Sequence, residues 1–260
     1  VALDAIQLRH QTAEALLRLI HARLTCRSSA DSRSLWMELT RTSSQLRALV
    51  EELRPAVESP GFFAAMAGLM IPLPNGTKLD KQAIAAVSNA LLWVIRAAEL
   101  VSSGPIDLNA ANNKIKHGVS ARPEAKLRIT FTTQPPDEDG NVPIGALSGD
   151  SAFDVVDSIV LEYLSRPPKP HGSEPLGFER TLLRADASAL LAEAWMLAIL
   201  HGAIFNTSAY RHNGDSPHPH TPPHPGLALG PVPERVLGQH VVGLRFPVTT
   251  SMSGRVHRSP

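Results

Sequence analysis

The sequence predicts a mainly α-helical fold, a bundle of about six or seven helices with a small β-hairpin or sheet and an irregular C-terminal stretch rich in proline and histidine. Three observations predict this fold. Apolar residues recur at the spacing of one helix face over most of the chain. One short segment alternates apolar and polar residues in the manner of a strand. Residues 206–235 hold seven of the 22 prolines, a composition that cannot bury enough apolar surface to fold alone.

Composition limits the classes of protein to which the chain can belong. The 260 residues are 43% hydrophobic and 19% charged, a balance typical of globular proteins of one or two domains. Lys and Arg number 25 against 24 Asp and Glu, so any contact with nucleic acid has to be local. The expected organisation is a helical bundle domain over 1–205 with a β insertion near 126–147, a linker over 206–235, and a C-terminal segment over 236–260.

The number of cysteines and the length of the apolar segments indicate where in the cell the protein is expected. Cys26 is the one cysteine, which excludes an intramolecular disulfide and makes a reducing, cytoplasmic location the expected one. No signal peptide is predicted at the N-terminus. The most apolar windows are 62–73, which is too short for a bilayer, and 189–205, which contains Glu193 and His201. Both are predicted to be buried helices, and no membrane partner is expected.

Apolar spacing predicts five helices in the first half of the chain, over residues 3–25, 35–53, 60–70, 79–101 and 108–117. The second has to end at Pro55, because the proline ring blocks a further turn. The third begins with Ser59 as its N-cap and Pro60 as its first residue. The fourth is rich in alanine, the strongest helix former, and is predicted to be the central helix.

The second half of the chain mixes strand and helix patterns. The alternating, β-branched segment 126–133 is predicted to be a strand, and an Asp-Gly-Asn turn returns residues 142–147 as its hairpin partner. Two helices are predicted next, over 150–164 and, deep in the bundle, over 178–205. A last strand is predicted over 239–250, where it would pair with the first.

One local motif carries chemistry, at the end of the helix predicted over 108–117. Asn113, Lys116 and His117 share one stripe of that helix, with Asn109 one turn earlier. The chain's densest basic stretch runs from here to residue 128 and also contains Lys114, Arg122, Lys126 and Arg128. This pattern predicts a phosphate-binding surface. The alternative is a surface helix whose last turn carries cations because they complement the helix dipole.

The segment Asn113-x-x-Lys116-His117-Gly118 at a helix end resembles divergent members of the HEPN superfamily, helical-bundle proteins of prokaryotic toxin–antitoxin, abortive-infection and other defence systems. The resemblance covers about ten residues and the helical character of the chain. It implies a protein that binds RNA or cleaves it without metal or cofactor, as a homodimer or with an antitoxin-like partner. His117 matches the family's histidine, whereas an asparagine, Asn113 or Asn112, stands where the family has arginine.

The resemblance also implies a role for each residue. His117 would act as general acid or base on the ribose 2′-hydroxyl or the leaving oxygen, since imidazole exchanges protons near neutral pH. Lys116 would stabilise charge on the pentavalent phosphate, and Asn113 would orient the scissile group. The remaining cations would bind the RNA backbone, namely Lys114, Arg122, Lys126 and Arg128.

Other candidate sites have simpler interpretations. Four histidines of the tail could bind a transition metal, but intervening prolines hold the chain extended, so a solvated spacer is preferred and no metal site is predicted; they are His212, His218, His220 and His224. The alternative function is a non-catalytic helical interaction or regulatory protein, in which the apolar helix over 178–205 packs against a partner or a second copy. That function requires an exposed apolar patch, whereas the RNA function requires an exposed His117 among cations.

Overall fold

The structure of the chain is a computed structural model, which describes residues 2–26, 39, 46–72, 78–102, 108–117, 121–124, 127–156, 160–165, 177–212, 220, 222–227, 229–237 and 243–248. Most of the regular structure in these ranges is helical and a small antiparallel sheet accompanies it, which confirms the mainly α fold class. The helices are α1 (Ala2–Thr25), α2 (Leu46–Val57), α3 (Phe62–Met70), α4 (Lys81–Ser102), α5 (Leu108–Lys116), α6 (Ala187–His212) and α7 (Pro233–Leu237). The strands are β1 (Ala121–Glu124), β2 (Ile129–Thr132), β3 (Ala152–Val156), β4 (Val160–Ser165), β5 (Glu179–Arg184) and β6 (Gly243–Pro247).

The chain divides into two compact units. One, the β unit, consists of Val1–Asp4, Ala110–Ala187 and Gln239–Pro260, and contains the strands and most of α5. The other, the helical unit, consists of Ala5–Asn109 and Ser188–Gly238. The strands therefore belong to a unit larger than the insertion expected near 126–147, and the C-terminal segment contributes a strand to it.

Local sequence explains the helices of the first half of the chain, where α1, α4 and α5 lie close to where apolar spacing predicts them. The predicted start of the third helix is wrong, because α3 begins at Phe62 with Gly61 as its N-cap, and Ser59 Oγ instead donates to the Ala56 carbonyl at 2.8 Å. Asp80 caps α4, because its Oδ1 accepts a hydrogen bond from the Ala83 N–H at 2.7 Å. The predicted end of the second helix is wrong: α2 contains Pro55 and ends at Val57. A proline in the last turn removes one backbone hydrogen bond, and the helix then needs only two more residues beyond it. Most of the predicted first half of that helix lies outside the described residues.

The core of the helical unit forms around α4, which contacts α2, α3 and α7. Trp93 is fully buried on this helix, and its Nε1 donates a hydrogen bond to the Pro231 carbonyl at 3.0 Å. Ala86 and Ala90 are also fully buried, so small side chains bring neighbouring backbone close. The prediction of a central helix in this region is therefore confirmed.

Three charged side chains are buried together in the helical unit. Glu193 on α6 has no exposed surface, and its Oε2 accepts a hydrogen bond from Arg9 Nη1 of α1 at 3.0 Å. Its Oε1 accepts one from Arg96 Nε of α4 at 2.8 Å. Arg96 Nη1 also reaches Glu99 Oε2 at 3.2 Å, near the surface. A buried carboxylate without a partner has a high free-energy cost, so Glu193 has to keep both guanidinium groups in place. These contacts fix α1, α4 and α6 relative to one another.

His10 lies beside this ion-pair group and is also buried. Its Nδ1 donates a hydrogen bond to the Ile6 carbonyl at 3.1 Å. Burial and, secondarily, the positive charge of Arg9 lower the pKa of His10 to about 4. The imidazole is therefore neutral near neutral pH.

Two helices of this unit are long and apolar enough to cross a membrane by length and composition. They are α4 and α6, each with a window of mean hydropathy 1.6 of which 56% and 44%, respectively, is buried. The helices of a soluble core have the same properties. Arg96 and Glu193, which lie on these two helices, are buried against each other, so the two apolar helices also hold an internal ion pair of the unit.

The β unit has two antiparallel sheets. The larger has the strand order β1-β4-β5-β6, and the smaller is the pair β2-β3. Val160 of β4 and Leu182 of β5 form a buried cluster, against which Leu127, Ile129 and Leu244 pack. The side chains before and within β2 thus cover part of one face of the larger sheet.

Several sequence predictions for this unit are wrong. β2 pairs with β3, not with residues 142–147, which include the short 3-10 helix Ile144–Leu147. The helix predicted over 150–164 is instead the strands β3 and β4: many of its apolar residues are β-branched or aromatic, which suits a pleated surface, and pairing with β2 and β5 selects the strands. The helix predicted over 178–205 begins at Ala187, after β5. β6 confirms a strand within 239–250, but it pairs with β5 rather than with β2.

The described part of the Pro/His-rich stretch has specific hydrogen bonds. Helix α6 continues to His212, so the stretch begins later than the predicted linker does. Two carbonyls beyond α6 accept hydrogen bonds from the helices, that of Pro222 from Asn206 Nδ2 of α6 at 2.6 Å and that of Gly230 from Asn89 Nδ2 of α4 at 2.8 Å. A Cβ on Gly230 would lie 2.5 Å from Met196 Sδ, so a larger residue here would require the Met196 side chain to move.

We expect Glu193→Ala to destabilise the protein by about 3–5 kcal/mol, because it leaves two buried guanidinium groups without their carboxylate. Glu99→Ala is the matched control, since it removes an exposed partner of the same Arg96 and should cost less than about 1 kcal/mol. Urea unfolding of the whole chain measures both. Equal effects of the two substitutions would contradict the role given to Glu193.

The buried His10 predicts a pH dependence. Because its pKa is lower in the folded than in the unfolded chain, the unfolded chain binds more protons between about pH 6.5 and pH 4, and stability falls as the pH is lowered through that window. His10→Asn retains a donor for the Ile6 carbonyl but cannot titrate. We expect the loss of stability between about pH 7 and pH 5 to be about 2 kcal/mol smaller in this variant than in the wild type. The free energy of unfolding at each pH measures this difference, and an identical pH dependence in the variant and the wild type would contradict the role given to His10.

Candidate functional site

The predicted motif lies on α5, a helix with one buried face and one exposed face. Leu108 and Ala111 are buried. Asn113, Lys116 and His117 are exposed on the opposite side, where the His117 N–H donates to the Asn113 carbonyl at 3.1 Å and extends the helical hydrogen bonding. The structure therefore brings these three residues to one exposed stripe, as their spacing predicts. Asn109 does not join them, since its Nδ2 donates to the Val101 carbonyl at 3.0 Å.

The charges on α5 are uncompensated within the described residues. Lys114 and Lys116 lie in the last turn of the helix, and neither they nor His117 forms an ion pair with the part of the chain that the structure describes. Cations in a last turn also complement the helix dipole, so the arrangement stabilises α5 as well. The stripe can bind an anion without first breaking a salt bridge to any residue in the described part of the chain.

Arg122, by contrast, is already paired. Its Nη2 contacts both oxygens of Glu162 at 3.2 Å, across the β1-β4 register. Glu162 also accepts from Arg180 Nη2 at 2.9 Å. Although burial opposes the shift, the hydrogen bonds from Arg180 and Arg122 lower the pKa of Glu162 and keep it ionised. Two guanidinium groups thus share one carboxylate, and one positive charge remains uncompensated in this group.

Arg128 is paired as well, on the smaller sheet. Its Nε donates to Asp154 Oδ1 at 3.0 Å, and its Nη2 lies 2.7 Å from Oδ2. Thr130 Oγ1 donates to the same Oδ1 at 2.6 Å. The hydrogen bond from Arg128 and then that from Thr130 lower the pKa of Asp154. Of the four predicted RNA-binding cations, two therefore have carboxylate partners, Lys114 has none among the described residues, and Lys126 lies outside the described residues.

A pocket that the sequence did not predict lies next to this last ion pair. It has a volume of about 480 Å³ and is lined by side chains of β2, β3 and the turn at Ser148 and Gly149. Phe153 of β3 forms one wall and stands opposite Phe131 of β2 in the strand register. Sequence reasoning missed it because residues 152–156 were predicted to be helical, which separates the two phenylalanines.

Exposed apolar side chains bear on the alternative function. Helix α6 was predicted to lie deep in the bundle, but Trp195 is 68% exposed and Leu191, one turn earlier, is 44% exposed. Another face of the helix, which includes Glu193, Leu197 and Leu200, is buried. A separate groove of about 310 Å³ lies between α1, α2 and α4, and is lined by Leu17, Leu53 and Ile95 among others. The chain thus has exposed apolar surface as well as an exposed cationic stripe.

The tail histidines have individual environments. His224 Nε2 donates to the Met70 carbonyl at 2.9 Å while its Nδ1 accepts from the Gly226 N–H at 3.0 Å, so both ring nitrogens are engaged. His218 lies outside the described residues. Among the described residues there is no group of three or more His, Cys, Asp or Glu side chains that could hold a metal ion.

Comparison with known proteins does not identify the chain. No protein-family model, no curated protein and no solved structure matches it. The residues themselves are therefore the basis for a proposal about function.

Proposed function

We propose that the exposed stripe of α5 binds the phosphate backbone of RNA, and that His117 transfers a proton in metal-independent cleavage of that RNA. The observation that carries the proposal is that Lys116 and His117 share the exposed stripe and that Lys114 lies in the same last turn, with no carboxylate partner for any of the three among the described residues. The resemblance of this segment to the HEPN superfamily supports RNA as the polyanion. A prokaryotic defence or toxin-type role is the context which that resemblance suggests.

Electrostatics favours an anion at this helix end despite the helix dipole. The dipole places roughly half a negative charge at a helix C-terminus. Two lysines exceed that charge, so the end of α5 is positive overall. Since the whole chain is nearly neutral, the attraction is local, as it would be for a short stretch of phosphates.

The proposed reaction requires one group that takes up a proton and one that neutralises charge. His117 would remove the proton of the ribose 2′-hydroxyl, whose oxygen attacks the adjacent phosphorus. The bond to the 5′-oxygen breaks, that oxygen takes a proton from solvent, and the products end in a 2′,3′-cyclic phosphate and a 5′-hydroxyl. Lys116 would stabilise the additional negative charge on phosphorus, and Asn113 would hydrogen-bond the same phosphate.

The binding proposal predicts the effect of removing both lysines. Lys114→Ala with Lys116→Ala should weaken binding of single-stranded RNA about tenfold and should reduce the salt dependence of log Kd by roughly 0.7 per lysine. Lys78→Ala with Lys81→Ala is the matched control, because these exposed lysines of the helical unit remove the same charge elsewhere. Fluorescence polarisation at several salt concentrations measures both. Equal losses in the two double variants would show that net charge alone matters.

The cleavage proposal predicts a different result. Wild-type protein with labelled RNA in EDTA should give products with 2′,3′-cyclic phosphate ends, and His117→Ala should slow this cleavage by about a hundredfold or more while leaving affinity nearly unchanged. Binding without cleavage by the wild type would remove the catalytic part of the proposal and retain the binding part. Cleavage that His117→Ala does not slow would assign the activity to another residue.

A second candidate function is association through α6, which the exposure of Trp195 favours. An exposed tryptophan with a leucine one turn away is typical of an interface core. Sedimentation of the wild type should show a concentration-dependent dimer, which Trp195→Glu should abolish. Leu92→Glu, at a 39% exposed position of α4, is the control and should leave the dimer intact. A wild-type chain that stays monomeric would contradict self-association.

A further inference from the structure

The pocket between β2, β3 and the turn at Ser148 has the volume of a small-ligand site and both aromatic and polar side chains in its lining. Its volume of about 480 Å³ lies within the range of roughly 300–1,000 Å³ that is usual for such sites. One aromatic ring, that of Phe153, lines it together with hydrogen-bonding groups of Arg128, Thr130 and Asp154. An aromatic wall with a few convergent polar groups is the pattern that binds planar, polar molecules.

Phe153 is partly exposed, and its ring packs against that of Phe131. Its side chain is 53% exposed, and that of Phe131 is 46% exposed. The two rings lie at an interplanar angle of 22° with their centroids 6.2 Å apart, an offset stack across the strand pair. Phe131 does not line the pocket, whereas Phe153 does. Phe153 therefore brings an aromatic ring, itself stacked on Phe131, to the pocket wall, and stacking on an aromatic ring is how proteins bind unstacked bases.

The polar groups of the pocket select against a simple anion. Arg128 and Asp154 meet through two parallel contacts, Nε to Oδ1 at 3.0 Å and Nη2 to Oδ2 at 2.7 Å, so their charges cancel. The same contacts hold the guanidinium in a fixed plane. Asp154 Oδ1 already accepts from Arg128 Nε and Thr130 Oγ1, whereas Oδ2 contacts Arg128 Nη2 and keeps a second lone pair for an N–H donor. A neutral heterocycle with N–H groups fits this pocket better than a bare phosphate or an aliphatic side chain does.

We propose that this pocket binds one nucleobase, stacked on Phe153, with Asp154 accepting a hydrogen bond from an N–H group of the base. The base can belong to a free nucleotide or to single-stranded RNA, which share this chemistry. The inference goes beyond the RNA-binding role of α5 and does not depend on it, because the lysines that test that role are absent from the pocket.

The test uses the whole chain and two probes. Calorimetry with each of the four nucleoside 5′-monophosphates measures binding of a free base, and fluorescence polarisation with single-stranded RNA of about ten nucleotides measures binding of a base in a strand. The variants are Phe153→Ala, Phe153→Leu and Phe153→Tyr. Phe246→Ala is the matched control, because this phenylalanine of β6 is 42% exposed on the other sheet.

At least one probe should bind saturably to the wild type. Phe153→Ala and Phe153→Leu should each weaken that binding about tenfold or more, Phe153→Tyr should retain it, and Phe246→Ala should change it by less than about twofold. Circular dichroism of each variant separates these effects from unfolding, and the leucine variant keeps apolar volume without the flat ring. Binding of neither probe, or equal losses in Phe153→Leu and Phe246→Ala, would overturn the proposal. Loss of RNA binding in the lysine variants alone leaves it intact.

Discussion

The carboxylate of Glu193 is the constraint on which the helical unit depends. It has no exposed surface and accepts hydrogen bonds from Arg9 and Arg96, so one acidic side chain joins α1, α4 and α6. Apolar packing around α4 supplies most of the burial, but apolar contacts are non-directional. The ion pairs require a particular geometry, and any shift of one of these helices would leave a buried charge without its partner. Because Arg9 and Arg96 form these ion pairs, neither is available to bind a ligand.

In the β unit, too, some cations are held by carboxylates and others are available to a ligand. Arg122 and Arg180 share Glu162, and Arg128 is held by Asp154. A basic stretch in the sequence is thus not a continuous basic surface, because strand register places carboxylates opposite its arginines. The cations of α5 differ, since the helix ends in solvent with no acidic strand residue placed across from them by the described sheets. This contrast is the basis for locating polyanion binding on the helix end.

The sequence predicts the helical elements well because helix signals are local. Apolar spacing and alanine content suffice for α4, and spacing alone places Asn113, Lys116 and His117 on one stripe. Sheet structure depends on partners far along the chain. The apolar residues of 150–164 fit a helix and a strand equally well by period, and only pairing with β5 decides for β4. For the same reason the Phe131–Phe153 pair and the Arg122–Glu162 contact cannot be predicted from spacing.

The central functional claim is that RNA contacts the end of α5. The most direct measurement is ultraviolet cross-linking of wild-type protein to RNA that contains 4-thiouridine, followed by mass spectrometry of the cross-linked peptides. The account predicts cross-links within residues 109–117, with a further set at the peptide that contains Phe153 if a base enters the β-unit pocket. Efficient cross-links confined to other peptides, such as those of α1 or α4, or no cross-links at all, would contradict it.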